Sequence, residues 1–235
     1  MKKIIIYDFD GTLTPYPIPQ FEILDKLGIK GGLTNKNFLC KIKQESINNN
    51  IDTYSALYKE VIYLFKKNNI ELTDNNINIG VNNLKYNKGV EEFLNYLNNN
   101  NIKNYIISSG IQKSLENTKI AKYFDKIYAT TFTYQNNIIN GINYIMTDEN
   151  KVEAIKDIIN KNNINTNNII YIGDGLSDYY AFEYIYNNGG TTILINNDNI
   201  IDDKLKNLST LITNNDFSIN SNIFNYISKE CNLHN

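Results

Sequence analysis

The chain of 235 residues contains no arginine and no tryptophan, and its only histidine is His234. All 23 basic residues are therefore lysines, so no guanidinium is present to clasp a carboxylate or phosphate with two parallel hydrogen bonds. His234 lies one residue from the end of the sequence, which disfavours acid–base catalysis through an imidazole. Any charged ligand must be bound by lysines, carboxylates, hydroxyls or backbone amides.

Cysteine and long apolar runs are also scarce. Cys40 and Cys231 are far apart and lack the spacing of metal ligands, which argues against a disulfide framework or a zinc site and predicts a reduced, cytoplasmic protein. The apolar run at the start is interrupted by Asp8 and Asp10 before it reaches the length of a signal peptide. No run approaches the roughly 18 apolar residues of a membrane span.

Charge is nearly balanced along the chain. The 25 acidic and 23 basic residues give a net charge of -2 without a block of either sign, so we expect neither a nucleic acid nor a membrane as a partner. Asparagine, isoleucine, lysine and tyrosine are over-used, as is typical of an AT-rich genome, and the asparagine runs are interpreted mainly as polar loop filler. Neither an internal repeat nor a long disordered tract is predicted.

Short apolar segments predict a parallel sheet. Amphipathic helices, such as 89–97 and 151–159, lie between or around them, and this alternation favours right-handed crossovers. The predicted fold is α/β, a doubly wound parallel sheet covered on both faces. The five predicted strands are 3–7, 103–107, 126–129, 168–172 and 191–195.

One segment interrupts this alternation of strands and helices, because it contains several helical patterns and no convincing strand. We therefore predict an α/β core at 1–14 and 86–235 with an inserted helical cap domain at 15–85. Within the insertion, apolar residues from Tyr54 to Phe65 follow a helical repeat that Asp52 or Thr53 can cap. A smaller excursion at 128–144 is predicted to be a hairpin around Asn136-Asn137.

The first and fourth predicted strands both end in acidic turns. Asp8 and Asp10 lie on one side of the extended backbone after the first strand, and Gly11 allows a sharp turn there. Asp174 and Asp178 follow the fourth strand. Each turn alone can be a structural Asp-Gly turn, but two at the carboxyl edge of one sheet would repel each other unless they bind a cation or a phosphoryl group.

A hydroxyl-rich turn follows the second strand. Ser108, Ser109 and Gly110 are expected to present a hydroxyl and backbone amides where a helix begins, which suits a phosphate oxygen, although an N-cap serine is the commoner role. Lys151 opens the helix before the fourth strand, where most lysines are simply solvated.

Together these motifs resemble the haloacid dehalogenase superfamily in its phosphatase branch. The four signatures are Asp-Phe-Asp-Gly-Thr-Leu-Thr at 8–14, Ser108, Lys151 and Gly-Asp-Gly-Leu-Ser-Asp at 173–178. The resemblance covers residues 3 to about 195 and implies the strand order 3-2-1-4-5, which brings Asp8 close to Asp174. The insertion is similar to the helical C1-type cap of the phosphoserine-phosphatase-like branch, which closes over small substrates.

The resemblance also implies the role of each site residue. Asp8 is expected to attack phosphorus, while Asp10 protonates the leaving oxygen and later activates water. A Mg²⁺ ion is expected on the carboxylates of Asp8 and Asp174 and the backbone carbonyl of Asp10. Asp178 is expected to support the site by positioning Lys151 or a metal-bound water. The expected phosphate-binding residues are Gly11, Thr12, Ser108, Ser109, Gly110 and Lys151, with Ser108 preferred over Ser109 because it comes first after the strand.

Hydrolysis of a small phosphate ester is the favoured activity, and two alternatives stay open. A phosphotransferase or mutase uses the same intermediate, and a non-catalytic phosphate-binding protein keeps the same fold. The latter is disfavoured because Asp8 and Asp10 are both intact. A dehalogenase is disfavoured because it has no leaving alkoxide to protonate, and its relatives lack an acid at the position of Asp10.

Phosphoserine is a doubtful substrate on sequence grounds. Phosphoserine phosphatases typically hold the substrate carboxylate with an arginine, which this chain lacks, and place a glutamate soon after the first signature. Here that stretch is Pro15-Tyr16-Pro17-Ile18-Pro19, and Glu22 is the nearest acid. A lysine can substitute as a point charge, so we expect another small phosphomonoester, such as that of a sugar, an amino alcohol or a nucleoside. The candidate lysines are Lys30, Lys36, Lys41 and Lys43.

Overall fold

The fold is that of a computed structural model, which describes residues 3–15, 24, 27–30, 35–78, 81, 84–196 and 202–233. Pro17, Pro19, Glu22 and His234 lie outside the described residues. The strands are β1 (Ile4–Tyr7), β2 (Lys103–Ile111), β3 (Lys126–Gln135), β4 (Ile138–Tyr144), β5 (Ile169–Gly173), β6 (Thr191–Ile195) and β7 (Leu211–Thr213). The helices are α1 (Lys36–Asn49), α2 (Thr53–Lys67), α3 (Asp74–Ile77), α4 (Val90–Asn99), α5 (Gln112–Glu116), α6 (Asn150–Asn162), α7 (Tyr179–Asn187), α8 (Asp203–Asn207) and α9 (Asn222–Glu230).

These strands form one seven-stranded sheet in the order β4-β3-β2-β1-β5-β6-β7. Every neighbouring pair is parallel except β3 and β4, which are antiparallel. The predicted order of the five core strands is confirmed, because β1 lies between β2 and β5. The ends of β1 and β5 therefore meet at one edge of the sheet, where Tyr7 pairs with Ile172.

The two faces of the sheet bury alternate side chains of each strand. Ile5 and Tyr7 point into a core formed with α4 and α9, whereas Ile4 and Ile6 point into a core formed with α6 and α7. This alternation is the period-two geometry of a strand, and both of its faces are apolar here because helices cover both sides. The predicted doubly wound α/β architecture is confirmed.

The structure extends β2 beyond its predicted end and adds a short strand at the edge of the sheet. β2 continues through Ser108, Ser109 and Gly110 to Ile111, where the sequence predicts a helix to begin. The helix α5 begins only at Gln112. The strand continues because the Ser109 carbonyl accepts hydrogen bonds from Tyr58 and Thr130, which apolar patterning does not reveal. The short strand β7 was not predicted, since three residues show no periodicity.

Two predicted local features are confirmed. β3 and β4 form a hairpin whose turn residues, Asn136 and Asn137, both have positive φ, as a two-residue hairpin turn requires. Helix α2 begins after Asp52, whose carboxylate accepts a hydrogen bond from the amide of Ser55 at 2.8 Å. Asparagine also ends helices, because Asn50 and Asn163 adopt the left-handed conformation after α1 and α6.

The inserted helices α1, α2 and α3 have an apolar core of their own that extends onto the sheet. Their buried side chains pack together with Ile111, Phe132 and Ile139 from β2, β3 and β4. The ring of Tyr58 meets Phe132 edge to face, with 5.4 Å between centroids. The Ile139 amide donates to the carbonyl of Leu72 at 2.8 Å, so the hairpin also pairs with the end of the insertion.

No helix in the described ranges combines the length and the apolar character needed to cross a lipid bilayer.

One hydrogen bond joins the insertion directly to the carboxyl edge of the sheet. The Tyr58 hydroxyl donates to the carbonyl of Ser109 at 2.8 Å, and both residues are buried. We expect Tyr58→Phe to lower the free energy of unfolding by about 1 kcal/mol, because the ring is kept and a single buried hydrogen bond is lost. Urea denaturation measures this change, and Tyr63→Phe is the matched control, since Tyr63 lies on the same helix and is exposed. Equal losses in the two variants would contradict this prediction.

Candidate active site

Asp8 lies directly after β1 and is 5% exposed. Its amide donates to the carbonyl of Ile172 at 2.8 Å, which continues the pairing of β1 with β5. The chain then turns back on itself, because the amides of Leu13 and Thr14 both donate to the carbonyl of Phe9. This turn fixes the backbone on either side of Asp10 above the carboxyl edge of the sheet.

Gly11 allows this turn to approach the acidic loop that follows β5. It has a φ of +85°, and a Cβ at this position would lie 2.1 Å from Asp174 Oδ2. Thr12 donates from Oγ1 to Asp174 Oδ1 at 3.2 Å. The predicted phosphate-binding residue Thr12 therefore has its hydroxyl directed at Asp174, and the absence of a side chain at Gly11 makes room for that carboxylate.

Lys151 is the central cation of the site. It is the second residue of α6 and is 1% exposed. Its Nζ donates to Asp8 Oδ1 at 3.0 Å and to Asp178 Oδ1 at 2.7 Å. Burial lowers the pKa of Lys151, but the negative charges of Asp178 and Asp8 outweigh it and raise this pKa well above its ordinary value. The lysine is therefore a fixed positive charge beside Asp8.

Asp178 is fully buried and is held from three sides. Oδ1 also accepts from the Tyr171 hydroxyl at 2.7 Å, and Oδ2 accepts from the Asp174 amide at 3.2 Å. A Cβ on Gly173 would lie 2.3 Å from Asp178 Oδ2, so glycine is required there by space. Both oxygens of Asp178 thus accept hydrogen bonds from the protein, and Asp178 holds Lys151 in place.

The carboxylates of Asp8, Asp174 and Asp178 form an acidic cluster, with oxygen atoms within 4.8 Å of one another. Burial is the main cause that raises the pKa of Asp8 above its ordinary value; Lys151 opposes it, and the neighbouring carboxylates add to it. Burial and the charge of Asp178 raise the pKa of Asp174 to about 7. Lys151 contacts two of these three carboxylates, and Asp174 has no ion pair with it.

The cluster has the donor chemistry of a divalent-cation site. Carboxylate oxygens are ligands that hard divalent cations prefer, and a bound cation would offset the negative charge of the neighbouring carboxylates. Asp8 and Asp174 are the better ligands, because both oxygens of Asp178 already accept hydrogen bonds.

Ser108 and Ser109 differ in what their hydroxyl groups contact. Ser108 Oγ accepts from the Gly110 amide at 3.1 Å, whereas Ser109 Oγ is buried without a hydrogen-bond partner among the described residues. From the sequence, Ser108 is the predicted phosphate contact because it is the first residue after the apolar strand. The structure leaves the Ser109 hydroxyl unsatisfied.

The model of the haloacid dehalogenase-like hydrolase family matches residues 5–183, which is more than half of the chain. The chain belongs to this hydrolase family. A phosphoserine phosphatase of Streptococcus thermophilus (strain ATCC BAA-250 / LMG 18311) is 24% identical over 180 residues, which are 76% of this chain and 78% of that protein. The superfamily, its phosphatase branch and the enzyme class predicted from the four motifs are confirmed.

Solved structures of similar fold include two phosphoserine phosphatases. A substrate-bound complex has a TM-score of 0.69 at 19% identity and covers 96% of this chain and 98% of that one. A phospho-aspartyl intermediate analogue of phosphoserine phosphatase has a TM-score of 0.67 at 18% identity. The match covers 97% of this chain and 98% of that one. At this level of identity the likeness shows the fold alone.

Several residues that shape the site of this haloacid dehalogenase-like hydrolase are not distinguished by the sequence. The buried Asn87 donates from Nδ2 to the carbonyl of Thr12 at 2.8 Å, and its amide donates to Leu13, so it fixes the turn after Asp8. Nothing distinguishes Asn87 from its many neighbouring asparagines in the sequence. Tyr171 appears there only as an apolar strand residue, and Tyr54 only as a residue of a helical stripe.

Replacing Lys151 tests the electrostatic argument. We expect Lys151→Met to lower the free energy of unfolding by about 3–5 kcal/mol at pH 7, because it leaves Asp8 and Asp178 buried without their cation. Urea denaturation in the absence of divalent metal measures the change. Lys156→Met on the same helix is the control, since Lys156 is paired only at the surface and its replacement should leave stability nearly unchanged. A loss for Lys151→Met no larger than for Lys156→Met would refute the argument.

Proposed function

We propose that this chain is a Mg²⁺-dependent phosphatase that hydrolyses a small phosphomonoester through a phosphoryl intermediate on Asp8. The observation that carries the proposal is the placement of Asp8: a buried carboxylate at the carboxyl edge of the sheet, bound to Lys151 and facing Asp174. The family membership and the names of the relatives support the same activity.

In the first half of the reaction a carboxylate oxygen of Asp8 attacks phosphorus in line with the leaving oxygen. The new bond joins this oxygen to phosphorus, and the bond between phosphorus and the alcohol oxygen breaks. Asp10, two residues further on, gives its proton to that alcohol oxygen. The product alcohol leaves, and Asp8 carries the phosphoryl group as an acyl phosphate.

In the second half a water molecule attacks phosphorus while Asp10 takes up its proton. The bond between Asp8 and phosphorus breaks, inorganic phosphate leaves, and Asp8 is again a carboxylate. Lys151, held in place by Asp178, offsets negative charge on Asp8 and the phosphoryl oxygens throughout. The backbone amides of Gly11, Thr12 and Ser109 are the proposed donors to the phosphoryl oxygens, whereas the amide of Gly110 donates to Ser108 Oγ.

Mg²⁺ is the proposed cofactor, held by Asp8, Asp174 and the backbone carbonyl of Asp10. When bound, it supplies positive charge to the phosphoryl group and to the acidic cluster. The partner is a small phosphate ester and not a macromolecule. A cytoplasmic setting stays a prediction from the two cysteines, which are unpaired here.

The substrate is proposed to be a phosphomonoester other than phosphoserine. Several relatives carry the name phosphoserine phosphatase, at 22–24% identity. The absence of arginine from the chain opposes this substrate, because its carboxylate would need another cation.

Asp8→Asn tests the nucleophile. We expect kcat for para-nitrophenyl phosphate to fall by about three orders of magnitude or more, which is about 4 kcal/mol, because an amide does not attack phosphorus. The circular dichroism spectrum should stay the same. Asp203→Asn, the same change at an exposed position, should keep wild-type kcat. Substantial turnover by Asp8→Asn, with deamidation excluded by mass spectrometry, would remove Asp8 from its role.

Metal removal tests the cofactor. Exhaustive treatment with EDTA should abolish phosphate release, and Mg²⁺ should restore it. Mg²⁺ at about 100 times its Kd should also raise the free energy of unfolding by about 2.7 kcal/mol, an effect independent of turnover. Asp174→Asn should lose this stabilisation, whereas Asp203→Asn should keep it. Full activity of protein shown by elemental analysis to be free of metal would contradict the proposal.

A further inference from the structure

Three polar side chains from different elements meet beside the nucleophile, on the side that faces the inserted helices. Ser109 comes from β2, Tyr54 from the first turn of α2, and Asp148 from the loop before α6. The Tyr54 hydroxyl contacts the side chains of both Ser109 and Asp148, and the charges of Lys151 and Asp8 reach it. We call this group of three the polar recess.

Two polar atoms of the recess are buried without a partner. Ser109 is 9% exposed, and its Oγ has no hydrogen bond among the described residues. Asp148 Oδ1 is also buried without a hydrogen-bond partner among the described residues. The Tyr54 hydroxyl lies beside both side chains but satisfies neither of these two atoms. Such atoms are rare in folded proteins because an unsatisfied buried polar group is unfavourable, and two of them converge on one place here.

The charges around Asp148 indicate which kind of group would complete the recess. Burial raises the pKa of Asp148 to about 6; Lys151 opposes this shift, and the negative charges of Asp178 and Asp52 add to it. Lys151 is already bound to Asp8 and Asp178. The carboxylate of Asp148 therefore has no cation of its own among the described residues, and a cationic donor would supply one.

We propose that the polar recess binds the leaving group of the substrate and that this group carries an ammonium, which makes the substrate a phosphorylated amino alcohol. The inference rests on the proposed phosphatase function and narrows its substrate class. An ammonium has three donors, which match the carboxylate of Asp148 and the hydroxyl oxygens of Ser109 and Tyr54. A substrate carboxylate would instead meet the like charge of Asp148 in a chain without arginine.

Kinetics with matched esters test the proposal. The ratio of kcat/KM for ethanolamine phosphate to that for n-propyl phosphate compares an ammonium with a methyl group of similar size. We expect wild-type protein with Mg²⁺ to give a ratio of about 10 or more, equivalent to about 1.4 kcal/mol, and to disfavour phosphoglycolate, which carries a carboxylate. In Asp148→Asn the ratio should fall to about 2 or below. Glu149→Gln, which changes the exposed neighbouring acid, should keep the wild-type ratio.

Several outcomes would overturn the proposal. A wild-type ratio near one does so, and so does a ratio that is unchanged in Asp148→Asn. If Asp148→Asn does not fold, the ratio in Tyr54→Phe decides, because this change removes one hydroxyl and keeps the ring; a ratio equal to wild type then refutes the recess.

A binding measurement separates this inference from the proposed function. Failure of wild-type protein to hydrolyse any ester, including para-nitrophenyl phosphate, refutes the phosphatase. Calorimetry then compares ethanolamine phosphate with n-propyl phosphate on Asp8→Asn and on Asp8→Asn/Asp148→Asn. At least tenfold tighter binding of the ammonium ester by the first variant, lost in the second, supports the recess. Equal binding of the two esters by Asp8→Asn counts against it.

Discussion

The buried contact of Lys151 with Asp8 and Asp178 is the interaction on which the site depends. A lysine at 1% exposure is tolerated only because two carboxylates accept from it, and those carboxylates are tolerated only because the lysine is there. The contact joins three separate parts of the chain: the end of β1, the start of α6 and the turn after β5. The site is therefore complete only when β1 and β5 are neighbours and α6 packs beside them.

The central strands and the positions of the acidic turns were predictable because they depend on local patterns. Apolar runs followed by aspartates predict both the sheet and the edge at which Asp8 and Asp174 meet. The continuation of β2 beyond Ile107 was not predictable, since the hydrogen bonds that sustain it come from Tyr58 and Thr130, distant in sequence. Asn87 and Asp148 were missed for the same reason. Their surroundings are made by tertiary contacts, and their residue types are abundant in this chain.

The insertion is attached to the part of the sheet that also carries the predicted phosphate-binding turn. Tyr58 donates to the carbonyl of Ser109, while Tyr54, one turn earlier on the same helix, faces the side chain of Ser109. A displacement of α2 would therefore move both the support of this turn and one wall of the polar recess. Access to Asp8 and the shape of the leaving-group site are coupled through one helix.

Asparagine supplies all eight of the non-glycine residues with positive φ in the described part of the chain. These are positions where glycine is usually found, and asparagine tolerates the left-handed region better than most residues while giving the unfolded chain less freedom. A nucleotide bias toward asparagine codons can thus be absorbed at helix ends and hairpin turns with little loss of stability. Gly11 and Gly173 cannot be replaced by asparagine in this way. A side chain on Gly11 would clash with Asp174, and one on Gly173 would clash with Asp178. At these two glycines, the space that the neighbouring carboxylates leave therefore limits how far a bias in base composition can change the sequence.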